Sequence, residues 1–508
     1  MVEHTQKPVS LRFGKLATLS KEIHTWQSIL SLLHWDQETY LPQGGIVPRS
    51  EQIAQLSHLI HQKRTAPAFR RELGEWVDLK TGRIKKKGLS FRERSALAEW
   101  HRDWLRDTRL PASFVKKFSE LTAQASNVWA EAKRQNNFSL FAPFLEKIVA
   151  YNQKKAELLG FEKHPYEALL LTYEPSLSAR AIEKIFAELE KGLRPLLNSL
   201  LDAISPDTSF LEKRVGDDKQ WALGELLASK LPLDPSYSRL DRSVHPFSTA
   251  MHPQDSRITT RILPNRFLSN LLAILHEAGH SLYEMGLPAE EFGTPLGEAV
   301  SLSIHESQSR FWETFIGLSL PFWKFFYPFV QEAIPHLQKV PLLAFYRGIH
   351  RVHPSFIRIE ADEVTYPLHI LLRFDLEKRL IDGTLRVNDL PEAWNQKMHS
   401  LLGITPSHAG EGCLQDIHWS LGSFGYFPTY ALGNLFAAQF FQTFTKEHRD
   451  WEKRVEKGDL LFIRDWLRKN IHSLGKTYSG EELLERVTGA PLSAKPYCAY
   501  LQAKYKNL

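Results

Sequence analysis

The sequence predicts a mainly α-helical protein with one small β-sheet, because two different periodicities occur among its apolar residues. Over long stretches these residues recur at spacings of three and four, which places them on one face of a helix. One such face is formed by Ile23, Trp26, Leu30 and Leu33. Another, within residues 182–189, follows Ser178, and serine is a residue type that caps helix N-termini.

The segment 243–263 departs from the helical spacing. Here Ile258, Thr260 and Ile262 alternate with other residues at a period of two, as side chains on one face of a β-strand do. We therefore expect a strand pair in this segment, which lies directly before the motif described below.

Composition and charge indicate a large folded protein. The chain has 508 residues, of which 43% are hydrophobic and 11% aromatic, so it can form one large domain or two to three closely packed ones. The net charge of +6 is too small to indicate nucleic-acid binding. No run of about eighteen apolar residues occurs, so no membrane-spanning segment is expected.

Two local features bear on the surface and on the compartment. The densest basic run, residues 80–87, contains Gly82 and no aromatic residue, and we interpret it as a solvated loop of unassigned role. Cys413 and Cys498 are the only cysteines, which is typical of a reducing compartment. The N-terminus carries charge and no apolar signal segment, so we expect a cytoplasmic protein.

One helical stretch carries an H-E-x-x-H motif at His276, Glu277 and His280, and Gly286 is expected to end the helix. Two histidines at i and i+4 lie on one helix face, close enough to hold one metal ion. Glu277 lies about 100° around the helix and can reach a water beside the metal without being a ligand. The alternative is a helix with two ordinary histidines. The apolar residues around the motif indicate a buried helix, in which three unpartnered polar groups would be costly.

A catalytic zinc site needs a third protein ligand and an open position. Glu298 and Glu306 are the nearest candidates, and both lie in a stretch with helical character, so spacing does not choose between them. The metzincin pattern H-E-x-x-H-x-x-G-x-x-H is excluded, because positions 283 and 286 are Tyr and Gly.

Further motifs occur in a fixed order around this helix. They are His245-Pro246-Phe247, Asp255-x-Arg257-x-Thr259, His305-Glu306-Ser307-Gln308, Ile357-Arg358-x-x-Ala361-Asp362 and Gly412-x-x-Gln415-Asp416-x-His418-Trp419. With these motifs the chain resembles the carboxypeptidase Taq family of metallocarboxypeptidases along nearly its whole length.

The resemblance implies a large helical fold divided into two lobes by a long active-site groove, with a small β-sheet near the metal helix. Residues 1–508 would form a single metallocarboxypeptidase domain, with the metal site within residues 245–430. The resemblance also implies Glu306 as the third ligand, one Zn²⁺ or Co²⁺ per subunit, and a cytosolic homodimer. Its substrates would be peptides with a free C-terminus, from which it removes single residues with broad preference.

The motif itself indicates the role of Glu277, and a resemblance to related zinc peptidases implies further roles for a histidine and a tyrosine. Glu277 would act as general base on the attacking water and pass the proton to the leaving amine. The oxyanion needs further donors, for which we expect His418 and Tyr430. Tyr426 is the substitute for Tyr430 and is otherwise expected to bind the substrate. For Tyr430 the alternative is an aromatic packing residue.

Recognition of a free C-terminus requires a fixed cation, and the family pattern places Arg358 in that role. The alternative for Arg358 is an internal ion pair with Asp362, four residues further on. Arg257 either lies on an edge strand that aligns the substrate backbone or braces the groove. His245 is either a group near the substrate or an ordinary core histidine.

Three further polar residues belong to these motifs. His305 is expected to point away from the ligand face and to be structural. Asp362 and Asp416 are candidates to orient histidines beside the metal. Two other functions stay open: a related zinc oligoendopeptidase, which would need no carboxylate clamp, and a non-catalytic peptide-binding scaffold.

Overall fold

The computed structural model describes residues 7–508, and it confirms a mainly helical fold with a small sheet. The helices before the sheet are α1 (Ser10–Thr39), α2 (Ile46–Arg64), α3 (Pro67–Gly74), α4 (Phe91–Arg109), α5 (Ala112–Arg134), α6 (Phe138–Leu159), α7 (Pro165–Leu170), α8 (Ala179–Leu201) and α9 (Asp217–Lys230). The sheet is formed by β1 (Ser238–Arg242), β2 (Ser248–His252) and β3 (Asp255–Thr260).

The second half of the chain is again helical. It contains α10 (Phe267–Gly286), α11 (Leu302–Arg310), α12 (Leu320–Ala333), α13 (Leu342–Ile349), α14 (Tyr366–Ile381), α15 (Leu390–Leu402), α16 (Pro428–Glu447), α17 (Trp451–Val455), α18 (Leu461–Asn470), α19 (Gly480–Thr488) and α20 (Lys495–Lys506). As predicted, the side chain of Ser178 caps α8, and α10 ends at Gly286.

The sheet is larger than the predicted strand pair. Its strand order is β1-β3-β2, with β1 parallel and β2 antiparallel to β3. Strand β1 lies before the segment that the alternation identified, and Ile262 lies beyond the end of β3. β3 is therefore the central strand, so of the two alternatives for Arg257 the one that places it on an edge strand is wrong.

The buried apolar side chains form two clusters. The smaller cluster is built from α1 to α4 together with Leu296, and the larger one from α5 onward. A cavity of about 500 Å³ lies between them, with walls from α1 and α4 on one side and from α10 and α11 on the other.

Helices α10 and α11 cross at very short range because Gly279 has no side chain. A Cβ atom at position 279 would lie 2.5 Å from the backbone oxygen of Gln308 and 2.6 Å from Cα of Ser309. α11 then continues into a wider π-helical turn, Phe311–Gly317. The crossing brings the H-E-x-x-H motif of α10 against the side chains of α11.

The structure describes the basic run at residues 80–87, both cysteines and the hydropathy of the helices. In the basic run, Lys85 donates to the carbonyl of Gly74 and Lys86 lies 4.1 Å above the Trp76 ring, so part of the run is bound to the protein. Both cysteines are buried and form no disulfide. None of the helices in residues 7–508 combines the length and hydropathy needed to cross a lipid bilayer.

Candidate active site

The two histidines of α10 and one carboxylate of α11 converge on one point. The Nε2 atoms of His276 and His280 lie 3.7 and 3.5 Å from Oε2 of Glu306. Ligand atoms around a tetrahedral zinc ion lie about 3.4 Å apart, given zinc–ligand distances of about 2.1 Å. These three residues form the metal-ligand cluster found among residues 7–508, and their donor set fits a divalent ion.

Glu298, the other candidate for the third ligand, lies elsewhere. It precedes the N-terminus of α11, so the expectation that it belongs to the same helix is wrong. Its carboxylate contacts His24 and Lys476 instead of the histidines of α10.

The carboxylate of Glu306 is held by its own helix. Nε of Arg310 donates to its Oε1 at 2.8 Å, and the Ser309 hydroxyl donates to its Oε2 at 3.2 Å. Burial alone would raise the pKa of Glu306, but Arg310 and His276 hold this pKa well below its usual range. The group is therefore ionised, as a metal ligand must be.

Each histidine of the cluster has a partner on its other ring nitrogen. Nδ1 of His276 lies 2.7 Å from Oε2 of Glu313, which also accepts a bond from Arg310 at 3.0 Å. This contact leaves Nε2 of His276 facing Glu306. Such outer partners set the tautomer and the ring orientation of a metal-binding histidine.

The second histidine is supported by a chain of two residues. Nδ1 of His280 lies 2.6 Å from Nδ1 of His305, and Nε2 of His305 lies 2.8 Å from Oε1 of Glu284. The expectation that His305 points away from the ligand face is therefore wrong. Sequence reasoning also missed Glu284 and Glu313, although Glu284 stands at i+4 from His280, a spacing that places both on one helix face.

Glu277 lies beside this cluster and is only 7% exposed. Ser248, at the start of β2, lines the same cavity as Glu277, so the sheet reaches this side of the site. Burial, with a further contribution from Glu306, raises the pKa of Glu277 to about 7 against the opposing effect of His276. A carboxylate with such a pKa can both take and return a proton near neutral pH.

A cavity of about 560 Å³ joins these residues to other predicted site residues. Its walls include His276, His280 and Glu306, and also Arg358 and Tyr430. Tyr426 lines the same cavity, whereas His245 and His418 do not.

Arg358 is buried and shares one carboxylate with a second arginine. Nε and Nη2 of Arg358 donate to Oδ1 of Asp416 at 3.0 and 2.8 Å, while Nε and Nη2 of Arg373 donate to Oδ2 at 2.8 and 2.5 Å. Nη1 of Arg358 donates to the Tyr366 hydroxyl at 3.0 Å. Two guanidinium groups on one carboxylate leave an excess of positive charge beside the cavity.

Asp362 and Asp416 do not orient histidines. Asp416 bonds to the two arginines, and Asp362 accepts backbone N–H bonds from His353, Val364 and Thr365. The predicted alternative for Arg358, an ion pair with Asp362, is wrong as well, because its carboxylate partner is Asp416.

Tyr430 connects the cavity to His418. Its hydroxyl lies 3.2 Å from Nε2 of His418, and Arg358 lies 4.8 Å from its ring centre. Burial, together with Arg358 and Arg373, lowers the pKa of His418 to about 4, so its imidazole is neutral. Of this pair, it is Tyr430 that faces the cavity, and His418 contacts it from behind.

The remaining predicted residues lie near the sheet. Arg257 forms a bidentate ion pair with Asp255 at 2.9 and 3.0 Å and lies 4.3 Å above the Trp35 ring. These contacts brace β3 against α1. His245 lies in the loop between β1 and β2 and is exposed, so the core-histidine alternative is wrong.

The protein that this fold and site define is a metallopeptidase, and its site helix carries the sequence H-E-x-x-H. A family model for carboxypeptidase Taq (M32) metallopeptidases matches residues 15–505. The chain belongs to this family.

Individual relatives agree with this placement. Thermostable carboxypeptidase 1 of Thermus thermophilus is 40% identical over 507 residues, which cover 98% of each chain. Carboxypeptidase 1 of Bacillus subtilis is 37% identical over 492 residues, covering 96% of this chain and 97% of the relative.

Solved structures show the same fold. A carboxypeptidase of Pyrococcus furiosus superposes with a TM-score of 0.93 at 38% identity, covering 97% of this chain and 98% of that one. An M32 carboxypeptidase of Deinococcus radiodurans gives a TM-score of 0.93 at 34% identity, covering 98% and 99%. The protein is thus a peptide hydrolase of the metallocarboxypeptidase class, and its family implies a divalent metal ion.

Proposed function

We propose that the enzyme removes single residues from the C-termini of peptides with broad preference. The observation that carries this proposal is the position of Arg358 in the same cavity as the histidine pair. Because Asp416 is shared with Arg373, it does not neutralise both cations, and the excess charge can pair with a substrate carboxylate. The cavity volume of about 560 Å³ is large compared with one side chain, which supports a broad preference.

We further propose that His276, His280 and Glu306 hold one divalent ion, zinc or cobalt, in each subunit. A bound ion would supply Lewis acidity and lower the pKa of a water ligand toward about 7. Glu277 takes the proton from the attacking water and delivers it to the nitrogen of the leaving residue. Ser248 lines the cavity beside Glu277 and is the proposed hydrogen-bond partner of its carboxylate.

Tyr430 is the proposed donor to the oxyanion. Nδ1 of His418 is buried and has no partner among residues 7–508. Keeping the single ring proton on Nε2 avoids an unsatisfied buried donor. His418 then donates to the Tyr430 oxygen and leaves the hydroxyl proton of Tyr430 free for the cavity. In this arrangement His418 acts through Tyr430, and Tyr426 contacts Tyr430 from the side.

His305 and Glu284 are proposed to hold His280 in the tautomer that a metal requires. With Glu284 accepting from Nε2–H of His305, the free Nδ1 of His305 accepts from Nδ1–H of His280. The lone pair of His280 Nε2 then faces Glu306 and His276. Burial and His305 lower the pKa of His280 to about 3, which keeps this ring neutral.

We propose that the whole chain acts as one domain with two lobes, corresponding to the two buried clusters with a cavity between them. A cytoplasmic homodimer is proposed from the family resemblance. Light scattering at micromolar concentration tests the dimer, and a monomer mass would contradict it.

Timed mass spectrometry of one unblocked peptide tests the activity. The protein is first dialysed against a chelator and then supplied with zinc or cobalt. We expect a ladder of single-residue losses from the C-terminus, only after metal is added, and little cleavage of the same peptide with an amidated C-terminus. Equal cleavage of both peptides, or internal cuts, would support the oligoendopeptidase alternative.

A further inference from the structure

A second cavity of about 390 Å³ continues the active-site cavity along α11. The two cavities share Leu302 and His305 in their walls, so they adjoin at the N-terminal end of this helix. The other walls of the second cavity come from α4, from the end of α6 and from residues 171–175.

Most of the charged residues that line this second cavity are cations. Arg102, Arg106, Arg109 and Lys476 line it, against the single carboxylate of Asp103. Three of these cations also have partners: Glu99 for Arg102, Asp103 and Asp107 for Arg106, and Glu298 for Lys476.

Within the described residues 7–508, two neighbouring cations, Arg109 and Lys155, form no ion pair with a carboxylate. Arg109 donates to the backbone carbonyl of Leu159, and within residues 7–508 it forms no ion pair. Lys155 of α6 lies close to Arg106, and its burial together with the repulsion from Arg106 lowers its pKa to about 8. Lys155 and Arg109 thus add two cations beside the wall of the second cavity.

Helix α11 determines which part of a substrate reaches this region. Leu302, Glu306 and Arg310 stand four residues apart and therefore share one helix face. Arg310 lies 4.5 Å from the ring centre of Tyr366, which also bonds Arg358. If Arg358 binds the C-terminal carboxylate as proposed above, that carboxylate lies toward the Arg310 end of the helix and the upstream residues leave past Leu302.

The distance along this path fits a short peptide. From Arg310 to Leu302 the helix rises about 12 Å, at about 1.5 Å per residue. An extended peptide covers that length with about four residues, at about 3.3 Å each. The residue that enters the cationic cavity is thus about the fourth to sixth from the C-terminus.

We propose that this cavity is an upstream subsite that binds an acidic side chain of the peptide substrate, with Arg109 as its main free cation. The inference rests on the proposed function, because the direction of the peptide is set by Arg358. The proposed preference at the C-terminal residue stays broad. The second cavity adds a preference for negative charge several residues upstream.

The test uses full-length, metal-loaded enzyme and peptides of one length with a free C-terminus. Positions three to six from the C-terminus carry Glu, Gln or Lys in turn, and the release of the terminal residue gives kcat/KM. We expect Glu to be favoured over Gln by about threefold to tenfold at one of these positions, and Lys to be disfavoured.

Substitutions then assign the preference to the cavity. Arg109→Gln should bring the Glu-to-Gln ratio toward one, and Arg109→Lys should retain most of it. The matched control Lys446→Gln removes an exposed lysine of α16 and should leave the ratio unchanged. If Arg109→Gln fails to fold, the Glu-to-Gln ratio of kcat/KM is measured for the unmodified enzyme at low and high salt. A ratio that falls toward one at high salt supports a charged subsite, and an unchanged ratio overturns it.

The failures of the two proposals are distinguishable. Terminal release with equal rates for Glu and Gln at every position would overturn the acidic subsite and leave the carboxypeptidase activity standing. The absence of any C-terminal release would overturn the proposed function, and the subsite with it.

Discussion

Replacing His305 with phenylalanine is expected to weaken zinc binding by about fivefold to 150-fold while the protein remains folded. The phenyl ring keeps the stacking on His280, whose ring centre lies 4.5 Å away at an interplanar angle of 30°. What is lost is the acceptor 2.6 Å from Nδ1 of His280.

The magnitude follows from the two tautomers of His280. Without metal, the variant can place the proton of His280 on Nε2, where it faces Glu306. A metal on Nε2 forces that proton to Nδ1, where it is buried without an acceptor. An unsatisfied buried donor costs about 1–3 kcal/mol, or roughly fivefold to 150-fold in affinity, and the penalty falls on the metal-bound state alone.

Competition with a chromophoric chelator measures the affinity, and the visible spectrum of the cobalt form reports the ligand geometry. His305→Gln restores an amide oxygen as acceptor and should recover part of the affinity. Glu284→Leu should weaken zinc binding in the same way as His305→Phe. Without the Glu284 carboxylate, nothing holds the proton of His305 on Nε2, so its Nδ1 is no longer kept as an acceptor for His280. Unchanged zinc affinity and an unchanged cobalt spectrum in His305→Phe would refute the orienting role.

Three further substitutions separate chemistry, recognition and packing. Glu277→Gln should bind zinc normally but lose about 10²- to 10⁴-fold in kcat, and turnover at the original rate would reject Glu277 as the base. Arg358→Ala should lower kcat/KM for free peptides by about 10²- to 10³-fold and hardly affect amidated ones, while Asp416 keeps its bonds to Arg373. A similar loss of kcat/KM on free and amidated peptides would mean that Arg358 has a structural role and does not bind the substrate carboxylate. Gly279→Ala should destabilise the protein by about 1–3 kcal/mol in chemical unfolding and weaken metal binding, whereas Gly44→Ala, with open space around it, should do neither.

Local patterns predicted the parts of the fold that depend on local sequence. The apolar spacing around His276 predicted α10, and Gly286 predicted its end, because both depend on neighbours within a few turns. β1 was not predicted, since Ser238–Arg242 has no apolar alternation and is stabilised by pairing with β3. Pairing with a distant strand leaves no periodic signal in β1 itself, whereas β3 carries its own alternation.

In the candidate site, too, sequence predicted the residues that lie on one helix and missed the contacts between helices. The spacing of His276 and His280 indicated a metal site, but the choice of Glu306 came only from the family resemblance. The contacts of His305 and Glu313 depend on how α10 and α11 cross at Gly279. Spacing within one helix carries no information about such a crossing angle or distance.

The segment from Leu302 to Gly317 joins an α-helix to a π-helical turn without a break. Inserting or deleting one residue in it would rotate every later side chain by about 100° relative to the earlier ones. The proposed ligand, its arginine partner and the carboxylate behind His276 would then no longer face one point. Insertions and deletions should therefore be tolerated in surface segments such as residues 80–87. Between Leu302 and Gly317 they should not be tolerated, because the side chains of this stretch must keep their angular positions around the helix axis.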